Sequence, residues 1–342
     1  MAFDNVVDTI TMEEIVPVCV DTVLRSNTFT TVALARPKVF RAATQDFPIK
    51  YKTGTATQSF IGLQSLPTAF TDTRVSLKYN PSFVEANVTI VGTDALANNT
   101  ARKVIDLVEI EMASRAQDLA DSVGTMFYGG GSGTDMNGLA NLVDDGTNYS
   151  TIGGLSRSTY TTLDGTVTAL SGGQLTLSAM RTMWFAIGDQ AVWPTRIYCD
   201  ATSWQLYEAL LQPQERIMKS VNLTPSFKGY TGFQALDFAG MSVTFDRKCT
   251  AGYLYFLNED YLNFYALPSH DPVSGHGGKA VSVASKVMEG NMYNEVGNLG
   301  FFWTGFIPLS NAYGFSSFII LAGNLLTDNP RRHGVLTGAT TS

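Results

Sequence analysis

Residues 101–128, ARKVIDLVEIEMASRAQDLADSVGTMFY, and the glycine-rich GGGSGTDMNGL at 129–139 decide how the rest of the chain is read. Ala101, Val104, Ile105, Val108, Met112, Ala116, Leu119, Ala120 and Val123 recur mostly at steps of three and four, which draws one apolar stripe along a helix. Leu107 and Ile110 widen it. Asn98, Asn99 and Thr100 are all acceptable caps, and Gly129, Gly130, Gly131 and Gly133 end the helix by admitting left-handed backbone. Glu111 and Arg115 stand four apart and are expected to pair on the wet face. At 1.5 Å per residue the helix is about 40 Å long, more than a compact domain of this size needs. A rod of that length beside extended arms suits a chain that reaches across its neighbours.

On the N-terminal side, residues 39–92 alternate in the strand period. Val39–Ala42 and Phe47–Lys52 form one side of an expected two-stranded antiparallel hairpin. Arg74–Asn80 and Phe83–Val91 form the other, and the turn-rich, polar Thr53–Thr73 lies between. An isolated hairpin is marginally stable in water, and no third strand stands beside it. This ribbon is therefore expected to lie on another subunit, with docking on its own domain as the alternative. Before it, residues 1–38 read as an arm: a short helical pattern over Ile15–Arg25, then the extended SNTFTTVALARP.

On the C-terminal side, Gln174–Ile187 reads as a helix and Thr195–Cys199 as a strand. Asp200 caps a helix over Ala201–Leu211, stopped by Gln212-Pro213. Strands are expected at Gly232–Phe238, Met241–Asp246, Gly252–Asn258 and Leu262–Leu267, with an exposed loop over Leu267–Gly278. Val281–Met288, Gly297–Leu309 and Ala312–Leu321 are again strand-like. The apolar run Phe318–Leu321 suits a buried central strand. Residues 325–342 read as a loose tail. The fold class is α+β, without internal repeats.

Of the 342 residues, 44% are hydrophobic and only 15% charged, where about a quarter is usual. A surface so poor in charge suits burial against partners. The net charge of −7 and the absence of a basic stripe speak against sequence-specific nucleic-acid binding. Arg102-Lys103, Arg247-Lys248 and Arg331-Arg332-His333 are the densest basic sites, and each reads as solvated or ion-paired. A mildly acidic wall could still line a container of DNA. Cys19, Cys199 and Cys249 are odd in number and lack a CxxC, which argues against disulfide or zinc frameworks. MAFDNVVDTITMEE is not expected to be a signal peptide, and no run is long and apolar enough for a membrane span.

Catalytic motifs are not met. The glycine-rich turn follows a helix and lacks the Lys of a phosphate loop, and Thr134 stands where a nucleophile elbow needs its last glycine. His270, His276 and His333 are the only histidines. His276, in GHGG, is the one candidate for a hydrolase using a serine; neither a metal set nor a cofactor site is expected. Trp184, Trp193, Trp204 and Trp303 read as core or interface anchors.

Several segments carry a resemblance. Arg115–Ala120 followed by Tyr128–Gly131 and Asn137-Gly138-Leu139 is similar to a spine-helix ending. Tyr198–Leu206, with Trp204, resembles a strand-then-helix segment, and Val243–Asp246 and Tyr255–Asn258 the two strands behind it. Together with the order of elements, these resemble the major capsid proteins of tailed double-stranded DNA bacteriophages, with the Hong-Kong-ninety-seven-type fold. The resemblance implies an N-terminal arm at 1–38 and an extended hairpin loop at 39–92. It implies a peripheral domain with the spine helix at 93–139 and 291–324, an axial domain with mixed sheet and helices at 140–290, and a tail at 325–342.

It further implies a structural subunit, not an enzyme. Such a subunit self-assembles as hexamers and pentamers into an icosahedral shell around phage DNA, in the virion, after assembly in the host cytoplasm. Scaffolding, portal and decoration proteins are the implied partners; another virion part, of tail or decoration, is the alternative. Some members of the family weld subunits by a Lys–Asn bond, but nothing singles out Lys50, Lys52 or Lys78 with Asn324 or Asn329. The expected inter-subunit contacts are Phe47, Ile49, Tyr51, Leu77, Tyr79 and Phe83 as anchors. Lys50, Lys52, Arg74 and Lys78 are expected to face Asp106, Glu109, Glu111 and Asp118 of a neighbour.

Overall fold

A computed structural model of the chain describes residues 27–54, 59–63, 71–93, 101–189, 192–211, 236–267 and 300–340. The helical pattern at 15–25, the loop after 267, the strand-like stretch 281–288, Cys19, His270 and His276 lie outside them.

The central rod is the 28-residue helix Ala101–Tyr128. Its buried side chains from Met112 onward are Met112, Ala116, Leu119, Ala120, Val123 and Phe127, the stripe expected from the period. On the wet face Arg115 pairs with Asp118 at 3.0 Å, one residue closer than the Glu111 partner read from the sequence; both spacings share a helix face. Gly131 and Gly133 take φ near +66° and +67°, turning the chain back along the helix end.

Two six-stranded sheets flank this rod. The first is built on the 14-residue strand β15 (Gly314–Thr327). On one side β15 pairs antiparallel with β12 (Leu262–Ala266), β13 (Phe301–Trp303) and β14 (Ile307–Pro308). On the other it pairs with β4 (Ser82–Val91), and β1 (Lys38–Val39) extends β12 in parallel. The second sheet runs β7 (Thr166–Ala169), β16 (Gly334–Thr337), β11 (Leu254–Leu257), β8 (Arg196–Cys199), β10 (Met241–Phe245), β9 (Leu236–Phe238). Its side chains alternate between two cores. Ile197, Cys199, Val243, Leu254, Phe256 and Leu336 join the helices Leu177–Ile187 and Ala201–Leu211. Tyr198, Tyr255, Leu257 and Val335 join instead the core that holds the long helix, with the Tyr255 ring 5.9 Å from that of Tyr128. Both faces of this sheet are therefore dry, and its strands read as near-continuous apolar runs.

Four expectations are corrected. First, Thr28–Ala35 is a helix, not an extended arm. Its first turn is held by a distant group: Phe29 N–H donates to Asp246 Oδ2 at 2.8 Å. A carboxylate at a helix N-terminus is favoured by the exposed amides and the dipole. Gly124 of the long helix makes room for Asn27, whose Nδ2 donates to Ala120 O at 3.2 Å; a Cβ there would strike the Asn27 amide.

Second, residues 82–91 do not belong to the hairpin. Their inward set, Val84, Ala86, Val88 and Ile90, is buried in the first sheet beside β15. Third, residues 325–342 are not a loose tail: β15 continues to Thr327, and β16 lies between β7 and β11. Fourth, the chain returns to the first sheet earlier than 291: β12, inside 140–290, pairs with β15.

Candidate assembly surface

The hairpin is β2 (Gln45–Lys50) against β3 (Arg74–Tyr79), a two-stranded sheet in which Phe47 faces Leu77 and Lys50 faces Arg74. Its base is rooted in its own protomer. Leu77 is 0% and Tyr79 4% exposed. Tyr79 OH donates to Thr327 O at 3.2 Å, and Lys78 N–H donates to Gly153 O at 2.9 Å. The Phe47 ring lies 5.7 Å from that of Tyr265, and Tyr51 lies 5.0 Å from Tyr160. Leu77 and Tyr79 are thus core residues, which corrects their expected role as contacts with a neighbour; the period-two register turns both inward. Phe47, Ile49 and Tyr51 are half-buried.

The opposite face carries charge. Lys50, Lys52, Arg74 and Lys78 are all exposed. Lys78 stands opposite Asp46, whereas Lys50 and Arg74 oppose one another directly. Like charges opposite each other in a ladder weaken it, so this end of the ribbon has a local need for an acidic neighbour. Of the acids expected to supply one, Glu111 is half-buried and Asp118 exposed but paired with Arg115. Asp106 and Glu109 lie on the helix, outside the residues whose side chains are described.

The segment read as polar turn holds a signal that the reading passed over. Phe60, Ile61 and Leu63 stand in solvent, Ile61 at 92% exposure. The tetrapeptide FIGL at 60–63 inside a polar run was the available clue. A second apolar set lies on the first sheet. Phe83 and Val91 of β4 point away from the long helix, and Ile307, Leu309, Tyr313 and Phe315 crowd the end where β14 turns into β15. No charged residue occurs from 297 to 327. Exposed apolar area of this kind marks surfaces that partners cover.

The remaining candidates for chemistry are absorbed by packing. In Arg331-Arg332-His333, expected to be solvated or ion-paired, Arg332 pairs with Asp189 at 3.2 Å, whereas His333 is fully buried. Its Nδ1 accepts from Asn258 N–H at 3.3 Å, which leaves Nε2 to carry the proton toward Thr327 Oγ1 at 3.0 Å. Burial holds its imidazole down to about 3, so the ring is neutral. Burial also pushes the thiols of Cys199 and Cys249 up, away from reactive thiolate. A Cβ at Gly130 of the glycine-rich turn would strike the Tyr149 ring. Asn324, considered for a crosslink, is buried with its amide engaged: Oδ1 accepts from Asn137 N–H and Nδ2 donates to Asn80 O, each at 2.7 Å. Among the described residues no group of three His, Cys, Asp or Glu could hold a metal ion, and no helix is long and apolar enough to cross a membrane.

Asp144 and Arg157 were not anticipated. Asp144 gathers the amides of Gly146, Asn148 and Tyr149 at 2.8–3.1 Å. The buried Arg157 donates to Asn141 O at 2.6 Å and Leu163 O at 3.1 Å. Both lock the segment after the long helix.

With this geometry in hand, solved structures supply the comparison. The chain matches the capsid asymmetric unit of cyanophage A-1(L) with a TM-score of 0.66 over 92% of this chain and 93% of that one, at 15% identity. The fold is that of a phage capsid shell protein. The holo-SrpI encapsulin of Synechococcus elongatus PCC 7942 follows at TM-score 0.52, 12% identity, covering 89% and 84%. The capsid of a native GTA particle matches at 0.52, 11% identity, covering 91% of each chain. No protein-family model and no curated protein matches the sequence. The chain as a whole thus shares its fold with these capsid and encapsulin proteins.

Proposed function

We propose that this chain is the structural subunit of an icosahedral phage head, polymerising through hexamers and pentamers around packaged DNA. The observation that carries this reading is the likeness of fold to the cyanophage A-1(L) capsid subunit over nearly the full length of both chains. The mechanism is lateral burial. The hairpin tip Phe60, Ile61 and Leu63, and the apolar end of the first sheet, are water-exposed in the single protomer and gain by lying on neighbours. Lys50 and Arg74, which oppose each other, gain by meeting acids such as Asp106, Glu109, Glu111 or Asp118 of another copy. Phe47, Ile49 and Tyr51 have a share left to contribute, and Lys52 and Lys78 frame the seam. Each contact can be weak because a closed shell multiplies it. Scaffolding, portal and decoration proteins are the further partners, with assembly in the host cytoplasm.

Expression of the full chain followed by negative-stain microscopy tests the reading. Closed particles tens of nanometres across support it; monomers, rings or tubes at all concentrations overturn it. The encapsulin likeness gives one second reading, a shell that takes up no DNA. Nuclease-protected DNA in particles from infected cells separates the two.

A further inference from the structure

Among the described residues, three passages join the two sheets. One is long and runs through the helix Ala101–Tyr128; the other two are short, at 258–261 between β11 and β12 and at 328–333 between β15 and β16. Both short passages meet on one side chain. His333 Nδ1 accepts from Asn258 N–H at the start of the first passage. Nε2 faces the Thr327 hydroxyl at the start of the second, and His333 is that passage's last residue. Its backbone closes the arrangement: His333 N–H donates to Pro330 O, and Thr166 N–H of β7 donates to His333 O. The passages are also tied to each other, through Asp328 N–H to Tyr261 O at 3.2 Å. The Thr327 hydroxyl further accepts from Asn329 N–H at 3.3 Å.

We propose that His333 is the latch of a hinge between the two sheets, a positioning residue that fixes the angle at which one sheet is carried on the other. The imidazole suits the post because one neutral ring accepts on one nitrogen and donates from the other. It therefore satisfies groups from both passages at once, among residues that are all buried: His333, Thr327 and Asn258. The ring is fully buried and touches no surface, so the latch acts on shape alone. Resting on the shell reading, the consequence is for curvature. A shell closed by pentamers and hexamers needs one chain to hold a narrow range of angles, and a loosened hinge widens that range.

The test uses the full chain with Thr327→Val, which keeps the side-chain shape and removes one arm of the latch. His333→Phe removes both. Amide exchange on dissociated subunits is read first, because it does not depend on assembly. The expected result is exchange about tenfold or more faster in 258–261 and 328–333, because Thr327→Val takes away the hydroxyl that both His333 Nε2 and Asn329 N–H meet, with the strand amides of β11 and β15 unchanged. Equal exchange in wild type and Thr327→Val overturns the latch, as does acceleration spread evenly through both sheets, which marks ordinary destabilisation. If His333→Phe does not fold, Thr327→Val alone decides. Particle diameters are read second: a broader distribution for Thr327→Val supports control of curvature, and an unchanged one overturns it. Wild type that forms no shells defeats the shell reading and leaves the exchange result standing.

Discussion

His333 and Phe29 show what single side chains do here. The ring of Phe29 lies 5.1 Å from Tyr198, 5.6 Å from Tyr128 and 5.9 Å from Phe127. It is a wedge between the long helix and the second sheet, delivered by a short helix that Asp246 caps from across the fold. Phe29→Ala should cost about 3–5 kcal/mol, the usual range for a buried aromatic, read as a fall in the denaturation midpoint of the subunit. For His333 the sign follows from its lowered value of about 3. The unfolded chain, near 6.5, takes up a proton that the native state refuses. Its contribution is complete above about pH 6.5 and is lost as pH falls toward 3, at about 1.4 kcal/mol per pH unit. Urea titrations at pH 7 and pH 5 should show the gap between wild type and His333→Phe shrinking on acidification; a constant gap refutes the assignment.

At the scale of elements, the hairpin divides into a base packed in the protomer, with Leu77 and Tyr79 buried, and a tip, Phe60, Ile61 and Leu63, left in water. Replacing Ile61 and Leu63 together by Asp should leave the circular dichroism spectrum and melting midpoint unchanged while particle yield in sedimentation falls by about tenfold or more, since both side chains are in water in the single subunit. Arg74→Glu separates two effects of one charge. It relieves the repulsion with Lys50 across the ladder and should stabilise the ribbon by a few tenths of a kcal/mol. It should also lower particle yield if the ribbon meets an acidic neighbour; unchanged yield discards that pairing. The ribbon was legible as strands from its period, but its partner was not. Residues 74–79 and 82–91 are nearly continuous in sequence and alike in pattern, and only the pairing of β4 with β15, more than two hundred residues away, sets them in different sheets.

At the scale of the molecule, the last residues matter more than their composition suggests. TDNPRRHGVLTGATTS, at 327–342, looks like a polar tail, yet β16 sits second in its sheet, joining β7 to β11. Removing residues 328–342 should leave β7 without a neighbour and bare one side of β11. The truncated chain is expected in the insoluble fraction; a soluble, fully folded product contradicts the role given to β16. The same long-range closure explains why the sequence does not tell buried apolar residues from exposed ones. Leu77 and Tyr79 carry the same apolar chemistry as Phe60 and Ile61, and what separates core from contact is whether the protomer itself supplies the covering atoms, Gly153 and Thr327 O among them.

The sequence alone determined the helix at 101–128 and its stop, the helix capped at Asp200 with amides of Thr202 and Ser203 on its carboxylate, most strand positions, and the order of elements by which the family resemblance was seen. These are local: periodicity, caps and glycines act within a few residues, and the chain carries their physics in its order. The tertiary structure decided the rest. It gave β4 and β16 to their sheets, made a helix of Thr28–Ala35, and buried His333 between Asn258 and Thr327. Those outcomes depend on burial and hydrogen bonds between residues far apart in the chain, whose energies appear only when the partners meet.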